Sequence, residues 1–278
     1  MRAGQRVAFG AATLAAVGIA AAASPAGASP ATATQHRVGL LRLAAPHTAF
    51  HMTQSNNWSG YNQGALEKGT TFTSITGTWT VPTATQNKAG EAESSATWVG
   101  IGGGCLQSSC AVTDETLIQA GTEQDVDASG KASYSAWYEL IPVPSTAVSL
   151  PVAPGNKITV SISQTLPAVW AVSIKNLSTG QSWSTTTPYP STMGSAEWIE
   201  ETPLELGTNL GISAMPKLST VNFSGSTVNG APANLSSSEA MQLVNGSGQV
   251  LATPSDPSSS KTAFNDCTYA TSCAAPTG

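Results

Sequence analysis

The sequence predicts an all-β domain over residues 53–278, built as a two-sheet antiparallel β-sandwich. Three observations carry that prediction: short runs with period-two alternation, Pro- and Gly-rich turn chemistry between them, and no long helical periodicity. Thr71 to Val81 is Thr-rich and sets Ile75, Trp79 and Val81 on one alternate face. Lys157 to Ser163 alternates Ile158, Val160 and Ile162 against polar residues, and Val169 to Lys175 does the same with Trp170, Val172 and Ile174. Side chains of a strand alternate sides, so each run reads as a strand with one buried face. Pro82, Pro142, Pro144, Pro151, Pro154, Pro167, Pro188 and Pro190 fall between such runs, and Gly155-Asn156 and Thr179-Gly180 supply turns. The Ser-rich stretch around Asp256 reads as a loop before a last strand near Thr262 to Asn265. Roughly 225 residues are ample for one such domain and its core. Neither an internal repeat nor a domain linker interrupts it, and the expected architecture is a jelly-roll, concanavalin-like sandwich.

The first residues have a different character. Met-Arg-Ala-Gly-Gln-Arg precedes an uncharged, Ala-rich stretch from Val7 to Ala23 and then Ala26-Gly27-Ala28. This predicts a secretory signal peptide over residues 1–28, with neighbouring Ala sites as alternative cleavage points. The mature chain is expected to be secreted, soluble and free of the membrane. The four Arg (Arg2, Arg6, Arg37, Arg42) and the three His (His36, His47, His51) all lie before residue 52. All seven Lys and all sixteen acids lie after it, giving that part a net charge of −9. Residues 29–52 therefore form a short basic segment with no acid to balance it. It reads either as a pro-segment or as a disordered spacer left after signal cleavage.

The charge pattern also excludes functions. A domain without His has neither a Ser-His-Asp nor a Cys-His site, and it lacks the usual ligands of a catalytic zinc. No metal or other cofactor is expected. Few Lys, no Arg and an acidic balance argue against nucleic acid, whose phosphates need cationic partners. The four Cys, as Cys105/Cys110 and Cys267/Cys273, fit two local loop disulfides in an exported protein, with cross-pairing and metal binding left open. A monomer is expected.

Ser195 to Pro203 packs three acids around a Trp and an Ile. As a strand it places Glu197, Ile199 and Glu201 on one side and Ala196, Trp198 and Glu200 on the other. Glu197 and Glu201 then stand about 13 Å apart, too far to act as a pair, so any partner comes from another strand. The plainer reading is a solvated acidic strand end or a first helical turn.

Five segments bear on that choice: Asn57-Trp58-Ser59-Gly60-Tyr61, Trp98-Val99-Gly100-Ile101-Gly102-Gly103, Leu117-Ile118-Gln119-Ala120-Gly121, Ala136-Trp137-Tyr138-Glu139 and Ala196-Glu197-Trp198-Ile199-Glu200-Glu201. Together and in this order they resemble the glutamic peptidases, or eqolisins, acid endopeptidases without a cofactor. The resemblance implies a sandwich with a catalytic Gln and Glu on neighbouring strands of the concave sheet. Gln119 matches the family's Leu/Ile-Gln-x-Gly motif, and Glu201 ends its Ala-Glu-aromatic-Ile-x-Glu motif. Glu197 is that motif's first acid and is not the catalytic one. Trp58 and Trp98 correspond to aromatics lining the cleft, although a Trp in a sandwich also serves as core. Gly102 stands where fungal members have Asp, which removes a supporting acid.

Peptide hydrolysis needs an activated water and a held oxyanion. An ionised Glu201 would act as general base and then general acid, and the Gln119 amide would stabilise the oxyanion. Glu139 reads as a cleft acid that orients Glu201 or binds substrate, or as an ordinary strand-end acid. Polypeptides are the expected substrates, and the basic segment is a candidate intramolecular inhibitor released in acid. Two other functions share the architecture: a glycoside hydrolase using Glu139 and Glu201, and a lectin-like module with Trp58, Trp98 and Trp137 as sugar platforms. Asn57, Asn176, Asn222, Asn234 and Asn245 sit in glycosylation-type sequons.

Overall fold

The computed structural model describes residues 52–205 and 211–277. The expected signal peptide, and the basic segment up to His51, lie outside the described residues. In chain order the strands are β1 (Thr53–Ser55), β2 (Trp58–Gly64), β3 (Ser74–Thr80), β4 (Ala84–Thr85), β5 (Glu93–Gly102), β6 (Leu117–Val126) and β7 (Ala132–Leu140). They continue with β8 (Val143–Val148), β9 (Lys157–Leu166), β10 (Val169–Asn176), β11 (Ser182–Pro188), β12 (Ser195–Glu201), β13 (Leu204–Glu205) and β14 (Gly211–Ile212). The last are β15 (Lys217–Leu218), β16 (Val221–Val228), β17 (Ala231–Pro232), β18 (Ala240–Val244), β19 (Val250–Pro254) and β20 (Phe264–Thr268). Among the described residues, helix is limited to α1 (Ala65–Lys68) and a 3-10 turn at Ser237–Glu239. None is long and apolar enough to cross a membrane.

The sandwich is confirmed, with one difference from two separate sheets. A single hydrogen-bonded ladder runs β11, β10, β9, β3, β16, β20, β19, β18, β2, β12, β5, β6, β7, β8. One layer is β11 to β16 in that order, the other is β2 to β8, and β20, β19 and β18 carry the ladder around the edge between them. All of these pairings are antiparallel, whereas β1 adds to β18 as a parallel strand. The last strand starts two residues later than expected because Ser258 to Ala263 closes a turn, with Lys261 N donating to Ser258 O.

The three alternating runs bury the faces their periodicity assigns. Ile75, Trp79, Ile158, Val160, Ile162, Trp170, Val172 and Ile174 meet Tyr61, Val99, Ile101, Ile118, Ala120 and Trp198 in one core between the layers. Two indoles also bond across it: Trp79 Nε1 donates to Thr122 Oγ1 at 3.0 Å, and Trp198 Nε1 donates to Thr76 O at 2.8 Å. These bonds satisfy groups that would otherwise cost free energy in a dry interior. The other face of the β2–β12–β5–β6–β7 layer carries a second apolar cluster that includes Trp58, Trp98, Trp137 and Ile199. Both disulfides are local, Cys105–Cys110 and Cys267–Cys273, so the cross-pairing and metal alternatives fall away.

Candidate active site

Five adjacent strands, β2, β12, β5, β6 and β7, place the candidate residues on that outer face in three rows. The first row is Asn62, Glu197, Gly100, Gln119 and Glu139. The second is Gly60, Ile199, Trp98, Gly121 and Trp137, and the third is Trp58, Glu201, Ala96, Glu123 and Ser135. Residues directly opposite one another in a ladder share a face, so all of these side chains project to the same side. Gln119 and Glu201 thus share a face, but on strands that flank β5 rather than on neighbouring strands and four residues out of register, whereas Glu197 lies level with Gln119 across Gly100.

Small residues on β5 and β6 shape the floor. Gly100 separates Glu197 from Gln119, and a Cβ there would lie 2.9 Å from both Trp98 Cζ3 and Leu117 Cδ1. At Gly121 a Cβ would lie 2.2 Å from Thr97 O, a contact that no side chain tolerates. The Trp98 indole spans the rows: its ring edge lies over Gly100 while Nε1 donates to Glu201 Oε2 at 2.7 Å. Trp58 packs edge-on against it, with ring centroids 5.0 Å apart.

Glu201 is 1% exposed. Asn57 Nδ2 donates to its Oε1 at 3.3 Å, and Asn57 is itself fixed by Ser55 Oγ, which donates to Asn57 Oδ1 at 3.1 Å. Burial pushes the Glu201 carboxyl up to about 8. Trp98 and then Trp58 and Asn57 pull it back, the Trp58 N–H from a position short of hydrogen-bonding geometry, and Glu123 in the same row adds to the rise. In the first row, Gln119 Nε2 donates to Glu139 Oε2 at 2.7 Å, and both residues are buried. Glu139 is therefore no ordinary strand-end acid; its described partner is Gln119 rather than Glu201. Glu197 points toward the disulfide loop, where a Cβ on Gly104 would lie 2.5 Å from its Oε1. Burial holds its carboxyl well above the usual range, opposed by Ser195 and reinforced by Asp114.

Sequence reasoning missed Asn57 as a partner of Glu201, although it stands in the first motif. Glu123 was also missed, and its signal was the four-residue spacing from Gln119 that puts it on the same face. Asn57 and Asn176 are buried and hydrogen-bonded, so neither sequon is open to a glycan; Asn222 and Asn234 are exposed. Trp98→Phe keeps a ring but removes the donor to Glu201. A hydrogen bond to a charged group contributes about 1.5–3 kcal/mol, so the Glu201 titration is expected to rise by about one pH unit or more. A carboxyl-carbon NMR titration reads this directly, and an unmoved curve would remove Trp98 as its anchor.

Three comparisons bear on this arrangement. The model of the Peptidase A4 family matches residues 56–266. Scytalidopepsin B of Scytalidium lignicola is 30% identical over 130 residues, which cover 46% of this chain and 43% of that protein. This chain thus spans less than half the length of that curated relative. The crystal structure of scytalido-glutamic peptidase with a transition state analog inhibitor superposes with a TM-score of 0.59 at 23% identity, over 77% of this chain and 98% of that one. SCP-B, a member of the eqolisin family in complex with the tripeptide Ala-Ile-His, gives 0.58 at 22% identity over the same shares. At such identity the two structures establish the fold.

Proposed function

Because this chain belongs to the Peptidase A4 family, the eqolisins, we propose that it is an endopeptidase whose Glu201 and Gln119 hydrolyse peptide bonds in acid. The observation that carries the proposal is a buried carboxyl held by Asn57 and Trp98 on the face that also presents a buried, oriented Gln119 amide. Glycoside hydrolysis by Glu139 and Glu201 has less support, because the two acids stand on β7 and β12 with β6 and β5 between them, wider than the roughly 5–9.5 Å that separates the carboxyls of such enzymes. The lectin-like reading has less support still, because Trp98 is held by Glu201 and packs edge-on against Trp58, so the two rings are not laid out as a flat platform.

A carboxyl pushed up to about 8 starts the cycle protonated, not ionised. As water attacks the scissile carbon, the Glu201 O–H proton passes to the carbonyl oxygen and a water proton passes to the other carboxyl oxygen. This leaves a gem-diol and a carboxyl that is protonated again. Collapse returns a gem-diol proton to the carboxyl while the carboxyl protonates the departing nitrogen, releasing an acid and an amine. The Gln119 N–H donates to the carbonyl oxygen as charge builds on it, a contact that requires bound substrate to bridge the two-strand, four-residue offset between Gln119 and Glu201, and a donor placed there acts mainly in the transition state. General base and general acid are thus one group.

The substrates of this site would be polypeptides, and the enzyme a secreted monomer; two disulfides suit an oxidising compartment. The basic segment 29–52 would act as inhibitor. Near neutral pH its Arg37 and Arg42 attract an acidic domain; in acid the carboxylates protonate while Arg stays charged, so the attraction fades. β1 begins at Thr53 and is laddered to β18, which favours cleavage before it.

Residues 29–278, shifted to about pH 4, are expected to shed the segment and then cleave acid-denatured casein. Turnover should resist inhibitors of serine, cysteine, aspartic and metallopeptidases. Casein left intact beside a degraded polysaccharide would overturn the peptidase reading, and a segment retained at full activity would overturn its inhibitory role.

A further inference from the structure

The core side of β12 holds a second acid pair that the proposed reaction does not use. Glu200 is 0% exposed and Asp266 1% exposed. Glu200 stands in register between Ser59 of β2 and Thr97 of β5. Thr97 Oγ1 donates to Glu200 Oε2 at 2.6 Å, and Ser59 Oγ donates to Asp266 Oδ2 at 2.7 Å. Gln124 Nε2 extends the cluster, donating to Thr97 Oγ1 at 3.1 Å and Ser95 Oγ at 3.2 Å. Glu200 also occupies the one unspecified position of the Ala-Glu-aromatic-Ile-x-Glu motif, so the pair belongs to this chain rather than to the motif.

The cluster is short of donors. Glu200 Oε1, Asp266 Oδ1 and Gln124 Oε1 are buried and receive no well-formed hydrogen bond, although the Ser95 hydroxyl lies near enough to lower Glu200 and the Cys267 N–H to lower Asp266. Neither acid has an ion-pair partner among the described residues, where Lys68 is engaged with Glu239 and Lys88 with Glu91. From the surrounding strands come Ser59 and Tyr61 on β2, Ser95 and Thr97 on β5, Thr122 and Gln124 on β6, Val221 and Phe223 on β16, and Thr253 on β19. The titratable groups that bear on the pair are Glu201 behind the β12 backbone and Tyr61, which also senses Asp256 and Glu239. All of these add negative charge or none. Two ionised carboxylates without a cation are costly in a dry interior, and a proton on each supplies the two missing donors, with Gln124 Oε1 open as an acceptor.

We propose that Glu200 and Asp266 form a proton-held latch inside the sandwich, closed in acid and released as the pair ionises, so that the fold itself sets the upper pH limit of the protein. Burial pushes Asp266 up to about 7 and holds Glu200 well above the usual carboxylate range, with the Asp266 charge raising Glu200 further. In the unfolded chain both acids titrate near their ordinary values, so the folded state binds more protons. The latch is fully effective below about pH 4 and is lost as pH rises through the folded values. Each pH unit in that window multiplies the unfolding constant about tenfold per group, so Asp266 alone accounts for a loss on the order of 10³-fold. The latch stands whether or not the outer face cleaves peptides.

Denaturant unfolding of wild type, Glu200→Gln, Asp266→Asn and the double variant between pH 4 and 7 tests it. The amides copy the neutral acids in shape and bring their own donors. Wild type is expected to lose stability steeply across the range, Asp266→Asn to lose on the order of 10³-fold less and the double variant less again, while activity at pH 4 stays unchanged. Parallel curves would overturn the latch. So would a wild type restored at pH 7 by calcium and weakened by a chelator, because a cation would then hold the oxygens. If the variants do not fold, carboxyl-carbon NMR of Glu200 and Asp266 in wild type decides: both protonated at pH 6 supports the latch, and titration in the ordinary range refutes it.

Discussion

Glu201→Gln is expected to lower kcat for peptide hydrolysis by about 10²- to 10⁴-fold while leaving KM and the fold in place. The amide matches the carboxyl in shape and keeps an acceptor for the Trp98 N–H, which bonds Glu201 Oε2 at 2.7 Å. What it loses is the acidic proton, and the carboxyl oxygen that takes a proton from water, on which the proposed cycle depends. Stability should not suffer in acid, where a carboxyl with a value of about 8 is already neutral. Relative to wild type it should gain toward pH 7, because the unfolded variant has no carboxyl there to ionise. Glu197→Gln is the matched control: Glu197 stands in the Gln119 row but lies against the Gly104 loop, and turnover should stay within about tenfold of wild type. Assays of both variants on one peptide at pH 4 settle the assignment, since full turnover by Glu201→Gln would take that carboxyl out of the reaction.

Gln119→Ala should reduce kcat by about 10²- to 10³-fold with little change in KM, the signature of a donor that acts on charge developed in the transition state. The variant also strips Glu139 Oε2 of the N–H that Gln119 supplies at 2.7 Å. Glu139→Gln separates the two effects. It keeps a side chain of the same shape beside Gln119 but weakens the acceptor that aims the amide, so a milder loss of about tenfold is expected. If Glu139→Gln falls as far as Gln119→Ala, the acid and not the amide carries the role. If Gln119→Ala keeps full kcat, the oxyanion is held elsewhere.

Period-two alternation was enough to assign the faces. Ile158, Val160, Ile162, Trp170, Val172 and Ile174 all lie in the core between the layers, and Glu197 and Glu201 share the face opposite Glu200. Alternation says which side a residue faces and nothing about which strand lies beside it. The placement of β5 between Gln119 and Glu201, the Glu139 contact and the ladder through β20, β19 and β18 therefore emerge only from long-range pairing. The same limit explains the protonation of Glu201. A motif supplies a carboxyl, but the burial that pushes it up to about 8, against the pull of the Trp98 and Trp58 N–H groups, comes from the strands packed around it. Asn57 illustrates the point from the other side: its sequon names no partner, whereas the fold turns its side chain inward to Glu201.

The pairing of β2 with β12 also governs when the face exists at all. Asn57 and Glu201 touch across 144 residues of chain, and β18, later still, pairs with the other edge of β2. Contacts of such separation form late, because the loop-closure entropy is lost before they return any stability. A chain still emerging from the ribosome has made Gln119 long before it can bring Glu201 to the same surface. The nascent protein thus passes through synthesis without this face, which closes only once β12 and β18 have been made.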